Sequence, residues 1–187
     1  MNHTVKKWVL IACLAAISYL LMFISFAVIP LVPYMKVDFS DLAVLIGFFI
    51  LKTKGGLNIA LIRSLLYFLI TGLSLDNFIG VATSFCATIA FCLPMYLVLR
   101  TKPKKMLLAV VLATFSLTTI LSFANWLVIT PVYMAVLGMK LSLPLAQLIL
   151  YGVVPFNLIK GILVGVAFSL VYNRLVAWLT LKQKNFA

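Results

Sequence analysis

The chain has 187 residues, 65% of them apolar and 10% charged, a balance that excludes a soluble globular domain and marks an integral membrane protein. Six crossings at roughly 20 residues each would use about 120 residues and leave only short connections, so residues 1–187 read as one membrane domain. The net charge of +12 does not signal nucleic acid, because the basic residues flank apolar runs and do not stud an aromatic-rich polar face.

Lys6 and Lys7 precede an apolar run from Trp8 to about Val28. The run is longer than a signal-peptide core and meets Pro30 with no small-residue cleavage site, so it reads as an uncleaved first helix ended by Pro30 and Pro33. The loop LVPYMKVDFSD follows, with Ser40 and Asp41 placed to cap a short second helix, Phe39 to about Lys52. A helix that short leaves its preceding loop partly submerged, which is tolerated where protein or a cavity covers it. The loop is therefore a candidate wall or lid.

Lys52, Lys54, Gly55 and Gly56 make a tight turn into a third helix, about Leu57 to Gly72, with Arg63 at its middle. A guanidinium there faces the bundle interior, and pairing with Asp38 or Asp41 is favoured over ligand contact. Ser74 to Asn77 turns into a fourth helix, Phe78 to Leu99, closed by the solvated run RTKPKK. Met106 to about Val128 is the fifth, with a polar stripe leading to Asn125, an amide that meets either headgroup water or a ligand. A long connection, Thr130 to Leu143, precedes a last run that Gly152 and Pro155 break into an outer segment and a sixth crossing from Pro155 to about Leu181. In it Gly161 and Gly165 form a small-residue face for close helix contact.

If the N-terminus is cytoplasmic, Lys6, Lys7, Lys52, Lys54, Arg100, Lys102, Lys104, Lys105, Arg174, Lys182 and Lys184 fall inside and only Lys36 and Lys140 outside. Eleven against two favours both termini in the cytoplasm. Within Tyr151–Gly165, Asn157 and Lys160 then lie just under the outer face, three residues apart on one side of a helix. Lys36, Asp38, Asn77, Asn125, Tyr133 and Tyr151 converge on the same level, interleaved with Tyr34, Phe39, Phe78, Trp126 and Phe156. Such a set suits a flat, largely apolar ring with a few carbonyls and hydroxyls. The plainer alternative is a Lys160 that snorkels to the interface.

Catalysis lacks its usual parts: the chain has no glutamate, no histidine beyond His3, no HExxH, no GxSxG and no P-loop. Cys13, Cys86 and Cys92 lie in apolar runs without metal-site spacing. No enzyme activity, cofactor or metal is expected.

Two stretches, MKVDFSDLAVLIGFF (Met35 to Phe49) and VPFNLIKG (Val154 to Gly161), resemble the riboflavin-binding S-components of energy-coupling factor (ECF) vitamin transporters. Size, six expected spans and the pair Ala12 and Ala16, similar to the AxxxA face through which S-components dock, extend the likeness over essentially the whole chain. The resemblance implies a substrate-capture subunit of the bacterial plasma membrane that takes riboflavin from outside. It also implies partners, a transmembrane coupling protein and two cytoplasmic ATPases, and a toppling motion that carries the vitamin inward. By motif, Lys160 and Asn157 would hydrogen-bond flavin or ribityl oxygens, and the loop of Val37, Asp38 and Phe39 would close over the ligand. Asn125 joins the site by position, and Tyr151 and Gly152 complete the assigned set. The competing readings are an S-component for another vitamin, and a membrane scaffold without a small ligand whose working surface is Ala12, Ala16, Gly161 and Gly165.

Overall fold

The computed structural model describes residues 3–138 and 143–186, so Lys140 lies outside the described residues. Among the described residues five helices are long and apolar enough to cross a membrane: Thr4–Met22, Ser40–Thr71, Leu75–Thr101, Met106–Val136 and Leu145–Arg174. Among the described residues the one departure from all-helical structure is a small antiparallel ribbon. Its strands are β1 (Ser25–Ala27) and β2 (Lys36–Asp38), with Phe26 opposite Val37.

Helix α1 (His3–Met22) stops short of Val28, and neither Pro30 nor Pro33 ends it. The chain turns at Phe23 and Ile24 and enters β1, where pairing with β2 satisfies backbone groups that a longer helix would have satisfied internally. The loop between the strands is anchored by Val32 and Val37, both fully buried against Leu148 and Phe156.

Helix α2 (Ser40–Thr71) is folded back on itself. In a straight helix, residues 22 apart would be about 33 Å apart, yet Arg63 approaches Asp41 to 3.3 Å. The reversal is at Lys52, whose φ of 61° and ψ of −169° are non-helical and unfavourable for any residue bearing a Cβ. Glycines let the two arms close: a Cβ on Gly56 would strike the Phe48 ring, and one on Gly47 would strike Ile59. The arms, 40–51 and 53–71, occupy the stretches read from sequence as the second and third helices. Their start is held differently from the expectation, since Asp38 accepts the Ser40 amide at 2.9 Å while Asp41 turns inward to Arg63. The Ser18 hydroxyl donates to the Ser40 carbonyl at 2.8 Å and fixes this start against α1.

Helix α3 (Leu75–Thr101) is followed by α4 (Met106–Ala124), which runs through a π turn at Asn125–Ile129 into α5 (Thr130–Leu137). Helix α6 (Leu145–Leu148) likewise passes through a π turn, Ile149–Val153, into α7 (Val154–Phe186). Thr130–Leu137, expected to begin a long connection, is therefore helical, and the break expected at Gly152 and Pro155 is not formed. Each π turn lies just before a proline, Pro131 or Pro155, and a widened turn relieves both the missing amide and the clash of the ring with the carbonyl four residues earlier.

The main core fills one end of the bundle. Phe48, Phe91, Met95, Tyr96, Leu117 and Phe168 are buried there, and Phe49 packs on Phe168 and Tyr96 with ring centres 5.8 and 5.3 Å apart. Helices α4 and α7 approach closely through the expected glycine face: a Cβ on Gly161 would lie 2.6 Å from Thr114, and one on Gly165 2.6 Å from Val110.

Candidate ligand-binding site

A cavity of about 520 Å³ opens at the ends of the helices remote from Lys52 and Arg100. Its volume lies in the usual range for small-molecule sites. One wall is built from three separate segments: Asp38 at the end of β2, Asn125 in the first π turn, and Asn157 and Lys160 on α7, beside Phe156. Asn125 opens the first π turn and Asn157 follows the second, and both reach the cavity. Both amides are buried and donate within their own helices, Asn125 to the Leu121 carbonyl at 2.8 Å and Asn157 to the Val153 carbonyl at 2.9 Å. Their side-chain oxygens are then oriented, and that of Asn125 lies 3.4 Å from the Thr130 hydroxyl.

Lys160 sits where its charge is compensated. Its Nζ is 3.8 Å from Asp38 Oδ2 and 4.0 Å from Asp41 Oδ2, and the residue is 8% exposed. This pairing went unseen in the sequence, where the two carboxylates were assigned to Arg63 alone. Burial by itself would raise the Asp38 carboxyl. The Lys160 ammonium, the Ser40 hydroxyl and amide, and Arg63 together outweigh it and hold that carboxyl below the usual carboxylate range. Tyr34 at the rim is pushed up, first by burial and then by Tyr133.

Of the residues singled out from sequence, Lys36, Asp38, Asn77, Asn125, Tyr133, Asn157, Lys160, Tyr34 and Phe156 all line this cavity. Val37 lies under the ribbon, fully buried; Phe39 faces Phe26 with ring centres 6.4 Å apart. Tyr151 is exposed and Gly152 is packed against Val32, so neither is on the cavity wall. Ala12 and Ala16 are both exposed on α1. The opposite wall was missed: Ser64, Tyr67 and Thr71 on α2, and Gly80, Val81, Ser84 and Ala87 on α3. A signal for it existed, since these positions recur every three or four residues and so share one helix face. Asn77 pins the turn between these helices by donating to Thr71 Oγ1 at 2.7 Å and to the Gly72 carbonyl at 2.6 Å.

Comparison with known proteins agrees with this architecture. The sequence model of the family described as ECF transporter, substrate-specific component, matches residues 6–172. The chain is 33% identical over 177 residues to the riboflavin transporter RibU of Staphylococcus aureus, covering 93% of this chain and 92% of that protein. It is 30% identical over 179 residues to the riboflavin transporter FmnP of Bacillus subtilis, covering 94% of each. A solved structure, described as the S component of a bacterial ECF transporter, superimposes with a TM-score of 0.78 at 33% identity and covers 94% of this chain and 98% of its own. With the family's sequence pattern and its fold both spanning nearly the whole length, this multi-pass membrane protein belongs to the substrate-specific components of the ECF transporters.

Proposed function

We propose that the chain captures riboflavin in the cavity at its outer face and delivers it through a transporter whose energy comes from partner ATPases. The observation that carries this reading is the convergence of Asp38, Asn125, Asn157 and Lys160 on one wall of a cavity whose lining mixes apolar residues, Met22, Met35, Val81, Leu121, Ile129 and Phe156, with hydroxyls and amides such as Ser64, Tyr67, Thr71 and Asn77. A cavity with apolar surface for a ring and many hydroxyl and amide groups for hydrogen bonds fits a flat heteroaromatic ring carrying a polyol tail. The riboflavin transporters similar to this chain support the choice of vitamin.

Orientation follows from charge. Lys52, Lys54, Arg100, Lys102, Lys104 and Lys105 gather at the end away from the cavity, which supports a cytoplasmic position for that end by the positive-inside rule. In this reading the two arms of α2 count as separate crossings, which makes six, with both termini on the cytoplasmic side. Ala12 and Ala16 leave a shallow exposed stripe on α1 against which a coupling protein can pack closely. In this reading Asp38, Asn125, Asn157 and Lys160 bind the vitamin, while the segment of Val37 and Phe39 covers it.

The test is direct. Purified protein should be yellow and should quench the fluorescence of added riboflavin, with thiamine, biotin and folate failing to compete. Colourless protein that leaves riboflavin fluorescence unchanged would refute the assignment.

A further inference from the structure

Four charged side chains are buried beside the cavity, and only two of them line it. Asp38 and Lys160 do; Asp41, 1% exposed, and Arg63, 0% exposed, lie behind them. The hydrogen bonds among them radiate from Arg63. Its guanidinium donates through Nη1 to Ser40 Oγ at 2.6 Å and to Asp41 Oδ1 at 3.3 Å, and through Nη2 to Thr88 Oγ1 at 2.7 Å. Each hydroxyl passes its own proton on, Ser40 to Asp38 Oδ1 and Thr88 to Asp41 Oδ1. One planar guanidinium thereby orients both carboxylates by their Oδ1 atoms, a task suited to its rigid fork of donors.

The Oδ2 atoms are left for Lys160. They stand 3.8 Å (Asp38) and 4.0 Å (Asp41) from its Nζ, beyond hydrogen-bond length. Asp41 Oδ2 is buried and has no hydrogen-bond partner. Neither carboxylate has captured the ammonium, which is held by charge from one side while its three donors remain for the cavity. Two carboxylates and two cations also cancel, so a neutral ligand enters without leaving net charge in a low-dielectric site.

We propose that Asp41, Arg63 and Thr88 are positioning residues for ligand capture: they make no contact with the ligand and act by holding Lys160 between two oriented carboxylates, facing the cavity. The inference rests on the reading of this cavity as the riboflavin site. Without Asp41, the ammonium has Asp38 as its sole anionic partner, collapses onto it and withdraws from the ligand.

A double-mutant cycle on riboflavin affinity, read by fluorescence quenching of folded, monodisperse protein, tests this. Asp41→Asn should weaken binding by about tenfold or more when Lys160 is present, and by less than about twofold in a Lys160→Met background, because groups acting through one another are non-additive. Equal losses in both backgrounds would overturn the proposal. Should Asp41→Asn not fold, Thr88 carries the same test. Thr88→Val should lose affinity only while Lys160 is present, and Thr88→Ser, which keeps the bridging hydroxyl, should restore it; wild-type affinity in Thr88→Val would overturn the proposal. Wild-type protein that leaves riboflavin fluorescence unchanged would overturn both the ligand reading and this inference, whereas wild-type binding with additive losses overturns the inference alone.

Discussion

The two arms of α2 and helices α3, α4 and α7 each span a hollow end and a solid one, and the two ends are built from different chemistry. Near Lys52 and Arg100 the buried side chains are Phe48, Phe49, Phe91, Met95, Tyr96 and Phe168, each touching another ring or aliphatic chain. At the far end the same helices turn Ser64, Asn77, Ser84, Asn125, Asn157 and Lys160 toward an open volume of about 520 Å³. A core ring finds its partners in neighbouring helices. The two buried cavity amides find their partners in their own helices, Asn125 at Leu121 and Asn157 at Val153. The solid end therefore fixes the spacing of the helices, and the hollow end keeps its shape without filling itself.

Arg63 ties the start of α2 to α3 behind the cavity, and removing it should have the largest effect. Arg63→Met strands Asp41 and Thr88 in a buried site, so stability should fall by about 3–5 kcal/mol, read as the loss of a cooperative thermal transition in detergent; an unchanged transition would mean the network holds nothing together. At the hollow end, Lys160→Met should weaken riboflavin binding by about 1–3 kcal/mol, and a titration matching wild type would remove Lys160 from the site. Packing between α4 and α7 is probed by Gly161→Val, which drives a side chain into Thr114 and should lower thermal stability by about 1–3 kcal/mol. An unaltered melting temperature would show that α4 and α7 can separate freely.

Two smaller effects sharpen the contrast. Lys52→Gly should stabilise the protein by about 0.5–1 kcal/mol, because glycine accepts the positive φ that lysine holds under strain; a lower melting temperature would contradict that strain. The last concerns acid. The folded-state value of the Asp38 carboxyl is depressed, so its contribution is fully present above the ordinary carboxylate value of about 3.9 and is lost as pH falls through the folded value. Wild-type protein should therefore lose melting temperature more steeply than Asp38→Asn as pH drops below about 4; parallel slopes would rule out that contribution.

Much of the hollow end was legible in the residues themselves. Polar side chains are rare in this chain, so Asn125, Asn157 and Lys160 stood out against their apolar surroundings, and all three reach one wall of the cavity. Ser64, Tyr67 and Ser84 did not stand out, because serines and tyrosines in membrane helices usually serve local bonding and packing. Chain punctuation misled twice. Pro131 and Pro155 suggested breaks, but a π turn absorbs a proline when the helix on either side is held by tertiary packing. Pro30 and Pro33 suggested the end of α1, but pairing of Ser25–Ala27 with Lys36–Asp38 had already taken the chain out of the helix.

The sequence by itself determined the solvent, the helical class and the rough polarity of the two ends, because these depend on composition and on charges near the ends of apolar runs, which are additive along the chain. It also placed Arg63 with a carboxylate, since a buried guanidinium must have one. Only the tertiary structure decided how two carboxylates are shared between two cations. Asp38, Asp41, Arg63 and Lys160 come from different parts of the chain, and which oxygen faces which cation depends on the reversal at Lys52 and on the hydroxyls of Ser40 and Thr88. Such distances are set by helices packing against one another, and no local pattern of residues carries them.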